Sequence, residues 1–233
     1  MFRFRAFRAI DEPAACIEFA EGHLHVLRQY GVTKVTSAKD DWMYNPYVYV
    51  VVVELQETGE IVSGLRLHIA HHDYPLPMET AISQVDEQVF DLVRSYAFTG
   101  TAEVAGLWNS KSISGYSIGA VYLIRTGIAI ATQLGLHSLL ALVSEYTLPP
   151  SLQKGFEIET TIGNQGAFFY PKLDLVATAI VLKDPSLLSK AEKTERDFIF
   201  RLRESLHCIT LEKTPKGDVE IEFDLRIANP HWK

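Results

Sequence analysis

Residues 102–145 constrain the fold more than any other stretch of this 233-residue chain. They read as a strand over EVAGLWNS, a loop of Ser and Gly that begins at Lys111, a long helix rich in small residues and a second strand over HSLLALVSEY. A strand that ends in such a loop and opens a helix gathers several backbone N–H groups at one spot. That geometry can hold a pyrophosphate or an activated carbonyl. The Gly and Ala content of residues 117–134 lowers local helix stability but lets the backbone lie close to a sheet.

The flanking segments alternate between the two periodicities. MFRFRAFR reads as a half-buried strand, with an amphipathic targeting peptide as its rival. Asp11, Glu12 and Pro13 mark a helix start, and helical spacing over residues 14–30 ends at Gly31. Residues 32–47 have no sustained period and read as a loop that could fold over a site. YVYVVVVELQ and EIVSGLRLHIA, joined at ETGE, form a hairpin. Residues 82–98 then carry a helical pattern. Pro149 and Pro150 open a short helix ending near Gly155, and FEIETTIG and residues 175–182 complete a sheet. Residues 183–204 form a linker into an amphipathic helix, and the tail is a hairpin about a Pro215, Lys216, Gly217 and Asp218 turn.

Composition narrows the class. With a net charge of −7 there is no chain-wide attraction to nucleic acid. No uninterrupted apolar run approaches the ~20 residues of a membrane span. Cys16 and Cys208 lie far apart and outside any metal-binding or redox spacing, so they read as packing residues of a reduced, cytoplasmic, soluble protein.

Three local patterns carry a family resemblance. They are Gly64, Leu65, Arg66 and Leu67 at the end of the central hairpin, the run from Glu103 through Gly106 to Trp108, and residues 152–163, where a short helix ends in Gly and a strand leads to an Ile-Gly pair. Together with the element order, these resemble the GNAT fold of acyl-CoA N-acyltransferases. Within it the spacing is similar to the branch of acyl-homoserine-lactone synthases and N-acyl amino acid synthases. The resemblance implies an α+β layered fold, with a central mixed, mostly antiparallel twisted sheet flanked by helices over residues 1–185. Residues 186–233 would add a C-terminal helix and β-hairpin extension packed on the same domain.

The implied reaction moves an acyl group from an acyl-CoA or acyl-carrier-protein thioester, the co-substrate, to a small-molecule amine, with an amino acid as one candidate acceptor. No tightly bound cofactor is implied. Gly106 stands where the branch has Arg, and only Asp40, Asp41 and Asn45 represent the acidic residues expected before the hairpin. Both departures argue against lactone synthesis from an adenosyl-methionine amine. A non-catalytic module binding a lipid-like ligand or a protein partner in the same cleft is the alternative.

Acyl transfer to an amine needs a base, oxyanion donors and a slot for the acyl chain. Glu103, at the end of a central strand, can relay the ammonium proton through water or can be a solvated or salt-bridged carboxylate. Arg66 on the neighbouring strand suits a substrate carboxylate or Glu103 itself, or points outward as a surface residue. Trp42 joins Arg66 on the acceptor side. His68, His71, His72 and Asp73 include metal-ligating types, but the turn does not fix their spacing, so no metal site is assigned. His68 shares the parity of Arg66 and is the second candidate base.

Donor binding is assigned to Trp108, Asn109, Lys111, Ser112, Ser114, Gly115, Tyr116 and Thr147, with N–H groups supplied by residues 114–117. By the resemblance, strands splay near Tyr146 and Thr147 to admit the thioester, and Tyr146 can protonate the leaving thiolate. Trp108, Phe156, Phe168, Phe169 and Tyr170 line an acyl pocket or fill the core.

Overall fold

A computed structural model of the chain describes residues 1–32, 41–172 and 174–228. Its strands are β1 (Phe2–Arg8), β2 (Val48–Leu55), β3 (Ile61–Ile69), β4 (Thr101–Asn109), β5 (Ser138–Ser144), β6 (Glu157–Ile158), β7 (Ala167–Phe169), β8 (Val176–Leu182), β9 (His207–Thr214) and β10 (Gly217–Asp224). The helices are α1 (Pro13–Gln29), α2 (Pro77–Ile82), α3 (Gln88–Ala97), α4 (Gly119–Gln133), α5 (Leu148–Gln153) and α6 (Lys193–Glu204). All ten strands join one mixed sheet in the order β6-β8-β5-β4-β3-β2-β1-β10-β9, with β7 beside β8. Only β4–β5 and β1–β10 are parallel pairs; the others are antiparallel.

The central strands are buried on both faces, which is why residues 48–53 form an unbroken apolar run instead of an alternation. On one face Val48, Val50 and Val52 pack with Cys16 and Phe19 of α1 and with Trp42 and Met43. Farther along the same face, α2 and α3 cover Leu140, Ala179 and Val181. The opposite face, with Leu65 and Leu67, packs under α4 and α6. Helix α4 lies close, as its small residues suggest. A Cβ added at Gly127 would come 3.3 Å from Leu65.

Several segments differ from the sequence reading. The helix expected over residues 82–98 begins only at Gln88, whose N–H the Asp86 carboxylate accepts at 3.0 Å, and a separate short helix, α2, opened by Pro77, precedes it and ends at Ile82. The FEIETTIG strand shortens to β6, since Glu159 turns the chain by accepting from the N–H and hydroxyl of Thr161 (3.1 and 2.6 Å). Of the loop over residues 32–47, Asp40 and its neighbours from residue 33 on lie outside the described residues. The segment Asp41–Tyr44 is a 3-10 turn that buries Trp42.

The tail is a hairpin, and it is built into the sheet, β10 lying parallel to β1 from Phe2↔Ile221 to Arg5↔Asp224. Arg3 donates to Asp224 at 2.6 Å and Arg5 to Glu54 at 2.7 and 2.9 Å, while Phe4 enters the core against Phe223. No helix among the described residues is long and apolar enough to cross a membrane.

Candidate active site

Among the described residues the ladder between β4 and β5 is short, and the buried candidates Glu103 and His68 lie where it stops. Strands β4 and β5 pair only at Thr101↔Ser138, Ala102↔Leu139 and Glu103↔Leu140. Beyond those pairs β4 runs on to Asn109 and β5 to Ser144 without pairing to each other. A bulge in β4 accounts for the divergence. Against β3 the register passes from Arg66↔Ala105 to Gly64↔Trp108, so Gly106 and Leu107 together oppose Leu65. Such an extra residue bends its strand and increases the local twist. Gly106 takes it up at φ +60°, a left-handed conformation suited to glycine.

Glu103 and His68 sit opposite each other at the last paired position of β4 with β5. Glu103 lies near the start of β4, not at its end, and is 3% exposed, so it is not a solvated strand-end carboxylate. It accepts the Met78 N–H at 2.7 Å. Burial pushes its pKa up to about 8, against the opposing pull of that N–H and of Arg66. Burial, reinforced by Arg66, holds His68 well below its ordinary value, so its ring is neutral at physiological pH. The His68 Nε2 is buried and has no hydrogen-bond partner among the described residues. A buried polar atom in this position is a natural seat for a water or a polar substrate group.

Arg66 is fully buried, not a surface residue. Its guanidinium lies 4.3 Å from the Trp42 ring centre and 5.5 Å from that of Phe19, which brings the two acceptor-side candidates together. A Cβ at residue 106 would come 2.6 Å from Arg66 Nη2, so the bulge glycine also makes room for this arginine. His23 of α1 faces the same group and is lowered to about 3 by burial and by Arg66.

The donor-loop candidates gather beyond β4. Asn109 Oδ1 accepts from the Ser63 hydroxyl at 2.6 Å and lies against Gly119, where a Cβ would collide with it. Lys111 and Ser112 form an exposed 3-10 turn capped by the Ser110 hydroxyl, which accepts the Ser112 N–H at 3.2 Å. The N–H groups of Ser114 and Tyr116 bond within the loop, to Lys111 and Ile113 carbonyls. Those of Gly115, Ser117 and Ile118 have no hydrogen bond among the described residues. The available donors are therefore fewer than residues 114–117 suggest, and begin at Gly115.

No protein-family model matches the chain, and no curated protein matches it either. Among solved structures it is similar to FeeM, an N-acyl amino acid synthase from uncultured soil microbes, at 16% identity and TM-score 0.61 over 85% of this chain and 98% of that one. It is similar to BjaI, a CoA-dependent acyl-homoserine lactone synthase solved with SAM and isopentyl-CoA, at 11% identity and TM-score 0.50 over 88% and 90% of the two chains. A putative phosphinothricin N-acetyltransferase matches at 15% identity and TM-score 0.50, over 80% of this chain and 99% of that one. The fold is GNAT-like.

In this GNAT-like sheet the remaining candidates are dispersed. Trp108 is buried beneath α1 against Phe19, with Gly22 leaving room for its ring, so the structure places it in the core under α1. Phe156 and Phe168 are also core residues. Tyr146 is 83% exposed and borders a cavity of about 270 Å³ with Leu142, Ser144, Tyr170 and Leu175. Thr147 precedes α5, its carbonyl accepting from the Ser151 hydroxyl at 2.8 Å. His71, His72 and Asp73 present their ligand atoms within 4.8 Å of one another on the turn after β3, where the His71 ring stacks on Tyr47 at 4.0 Å. Sequence reasoning missed Met78, whose contribution is a backbone N–H and carries no side-chain signal. It read Gly106 only as a lost arginine.

Proposed function

We propose that this GNAT-like chain is an N-acyltransferase that carries an acyl group from an acyl-CoA or acyl-carrier-protein thioester to an amine. The observation that carries this reading is the gap between β4 and β5, with Glu103 and His68 at its closed end. An extended thioester arm can replace the missing strand-to-strand contacts there, which would bring its carbonyl to the buried carboxyl. The similarity to acyltransferase structures supports the same chemistry.

Direct attack is the mechanism the residues favour. Burial drives the Cys16 thiol up to about 12, and burial also raises Cys208, so neither is an activated nucleophile. Glu103 in its ionised form takes a proton from the acceptor ammonium through a water held at His68 Nε2. The freed amine attacks the thioester carbon, the C–S bond breaks, the nitrogen now bonded to the acyl carbon gives up its extra proton to solvent, and the thiolate is protonated by Tyr146 or by solvent. Asn109, Lys111, Ser112, Ser114, Gly115, Tyr116 and Thr147 would hold the donor, and Arg66 with Trp42 would bind the acceptor, an amino acid if Arg66 meets a carboxylate. No metal or tightly bound cofactor takes part in this reading, and the described residues from 186 to 228 belong to one acyltransferase domain in the cytoplasm.

The test is incubation of the full chain with acyl-CoA and acyl-carrier-protein thioesters and a panel of amino acids, followed by mass spectrometry. An N-acylated product is expected. No product, together with no thermal shift on adding any thioester, would leave the chain a non-catalytic module.

A further inference from the structure

The turn between β9 and β10 reaches back to the loop that the proposed reaction needs for its donor. Lys216, in that turn, has its Cε 2.9 Å from the position a Cβ on Gly115 would take. Its Nζ lies 4.6 Å from the centre of the Tyr116 ring. Gly115, at φ +84°, leaves the space that the lysine stem fills.

The position of Lys216 is fixed from several sides. Pairing of β10 with β1 anchors the hairpin in the sheet. Within the turn, the Thr214 hydroxyl donates to the Gly217 carbonyl at 2.8 Å and accepts the Lys216 N–H at 3.2 Å. Phe2 meets the Tyr116 ring edge-on at 5.3 Å, which holds the ring in place. The side chain is exposed, and among the described residues Lys216 forms no ion pair. The neighbouring carboxylate, Asp218, lies across the hairpin from Lys213.

These contacts set an ammonium beside Gly115, where the loop N–H groups without a partner begin, and Lys111 supplies a second cation from the same loop. A chain with a net charge of −7 repels anions at long range, so an anionic donor needs local cations where it binds. A lysine ammonium resting on an aromatic face keeps N–H groups for a phosphate, which it meets as a point charge. We infer that Lys216 is a donor-binding residue whose ammonium holds a phosphate of the thioester donor, which makes the terminal hairpin part of the donor site. This rests on the acyl-transfer reading above. The chemistry is shared by the phosphates of coenzyme A and by the phosphopantetheine arm of a carrier protein.

Calorimetric titration of the full chain with coenzyme A, with phosphate-free pantetheine and with a phosphopantetheinylated carrier protein tests it. Lys216→Ala is expected to weaken binding of the phosphate-bearing ligand by about three- to tenfold, and Lys216→Glu by more, with pantetheine affinity unchanged. Tyr116→Leu, which removes the ring under the ammonium, is expected to reproduce part of the loss. Whichever of coenzyme A and the carrier protein shows it is the source of the phosphate. Equal affinity of the parent and Lys216→Ala chains for that ligand overturns the inference and leaves the acyl-transfer reading standing. Binding of neither ligand by the parent chain overturns both.

Discussion

Glu103 decides how the proposed chemistry responds to pH. With burial pushing its pKa up to about 8, it keeps its proton at neutral pH and can accept one only as the pH rises. The rate of acyl transfer, kcat/KM, is therefore expected to climb with pH and level off above about 8. Glu103→Gln should flatten that rise and lower turnover by about 10²- to 10⁴-fold while thioester affinity is kept; an unchanged pH profile removes Glu103 from the mechanism. The same shift has a consequence for stability. Between the ordinary carboxyl value of 4.5 and about 8 the unfolded chain gives up this proton while the folded chain holds it, so its contribution is full below 4.5 and falls as pH rises. Glu103→Gln should accordingly melt above the parent at pH 8 and converge with it toward pH 4.5. Gly106 is a second residue with a defined expectation. Alanine there would meet Arg66 Nη2 at 2.6 Å in a left-handed conformation, a cost of about 1–3 kcal/mol that a urea titration would register. Strand parity joined His68 to Arg66 and the family resemblance marked Glu103, but the depth of all three was not legible, because burial depends on α1 and α2 packing over the strands. Nor does a lone glycine in an alternating run announce a bulge.

At the level of elements, the helices and strands long enough to show a period were readable, as α1, α4, α6 and the β2–β3 hairpin illustrate. Strands of two or three residues, such as β6 and β7, carry no period and are defined only by their partner β8. Ionic contacts between helices are equally invisible in sequence. Arg125 of α4 donates twice to Glu195 of α6, at 2.7 and 2.8 Å, and Lys154, immediately after α5, lies 3.3 Å from the same carboxylate with its side chain fully buried. This joins α4, α6 and the short helix that follows one wall of the gap. Burial alone would raise Glu195, but the Arg125 hydrogen bonds and the Lys154 charge outweigh it and hold the carboxyl below its ordinary value. Its contribution to stability is therefore present above pH 4.5 and lost as pH falls below it. Removing the charge by Glu195→Gln leaves two cations buried together, and a loss of about 3–5 kcal/mol is expected at pH 7. Denaturant unfolding of the two chains measures it, and a loss well under 1 kcal/mol would show the contact to be screened by solvent.

For the whole molecule, the last elements belong to the sheet, and their energetic weight in the fold can be measured. Sequence periodicity revealed the terminal hairpin, yet the choice of β1 as its neighbour is a pairing between the two ends of the described chain, and no local pattern specifies it. The hint in the sequence is charge: Arg3 at one end matches Glu222 and Asp224 at the other, and it pairs with both of them. Behind those charges Phe4, Tyr122, Phe198 and Phe223 form one aromatic cluster drawn from β1, α4, α6 and β10. A chain ending at Glu204 would lose Phe223, expose Phe4 and turn β1 into an unpaired edge, a template for association. It is expected to unfold without a cooperative transition or to aggregate, which calorimetry and size-exclusion chromatography would distinguish from the full chain. If it instead melts cooperatively near the temperature of the full chain, the hairpin is separable, and residues 1–204 carry the fold without it.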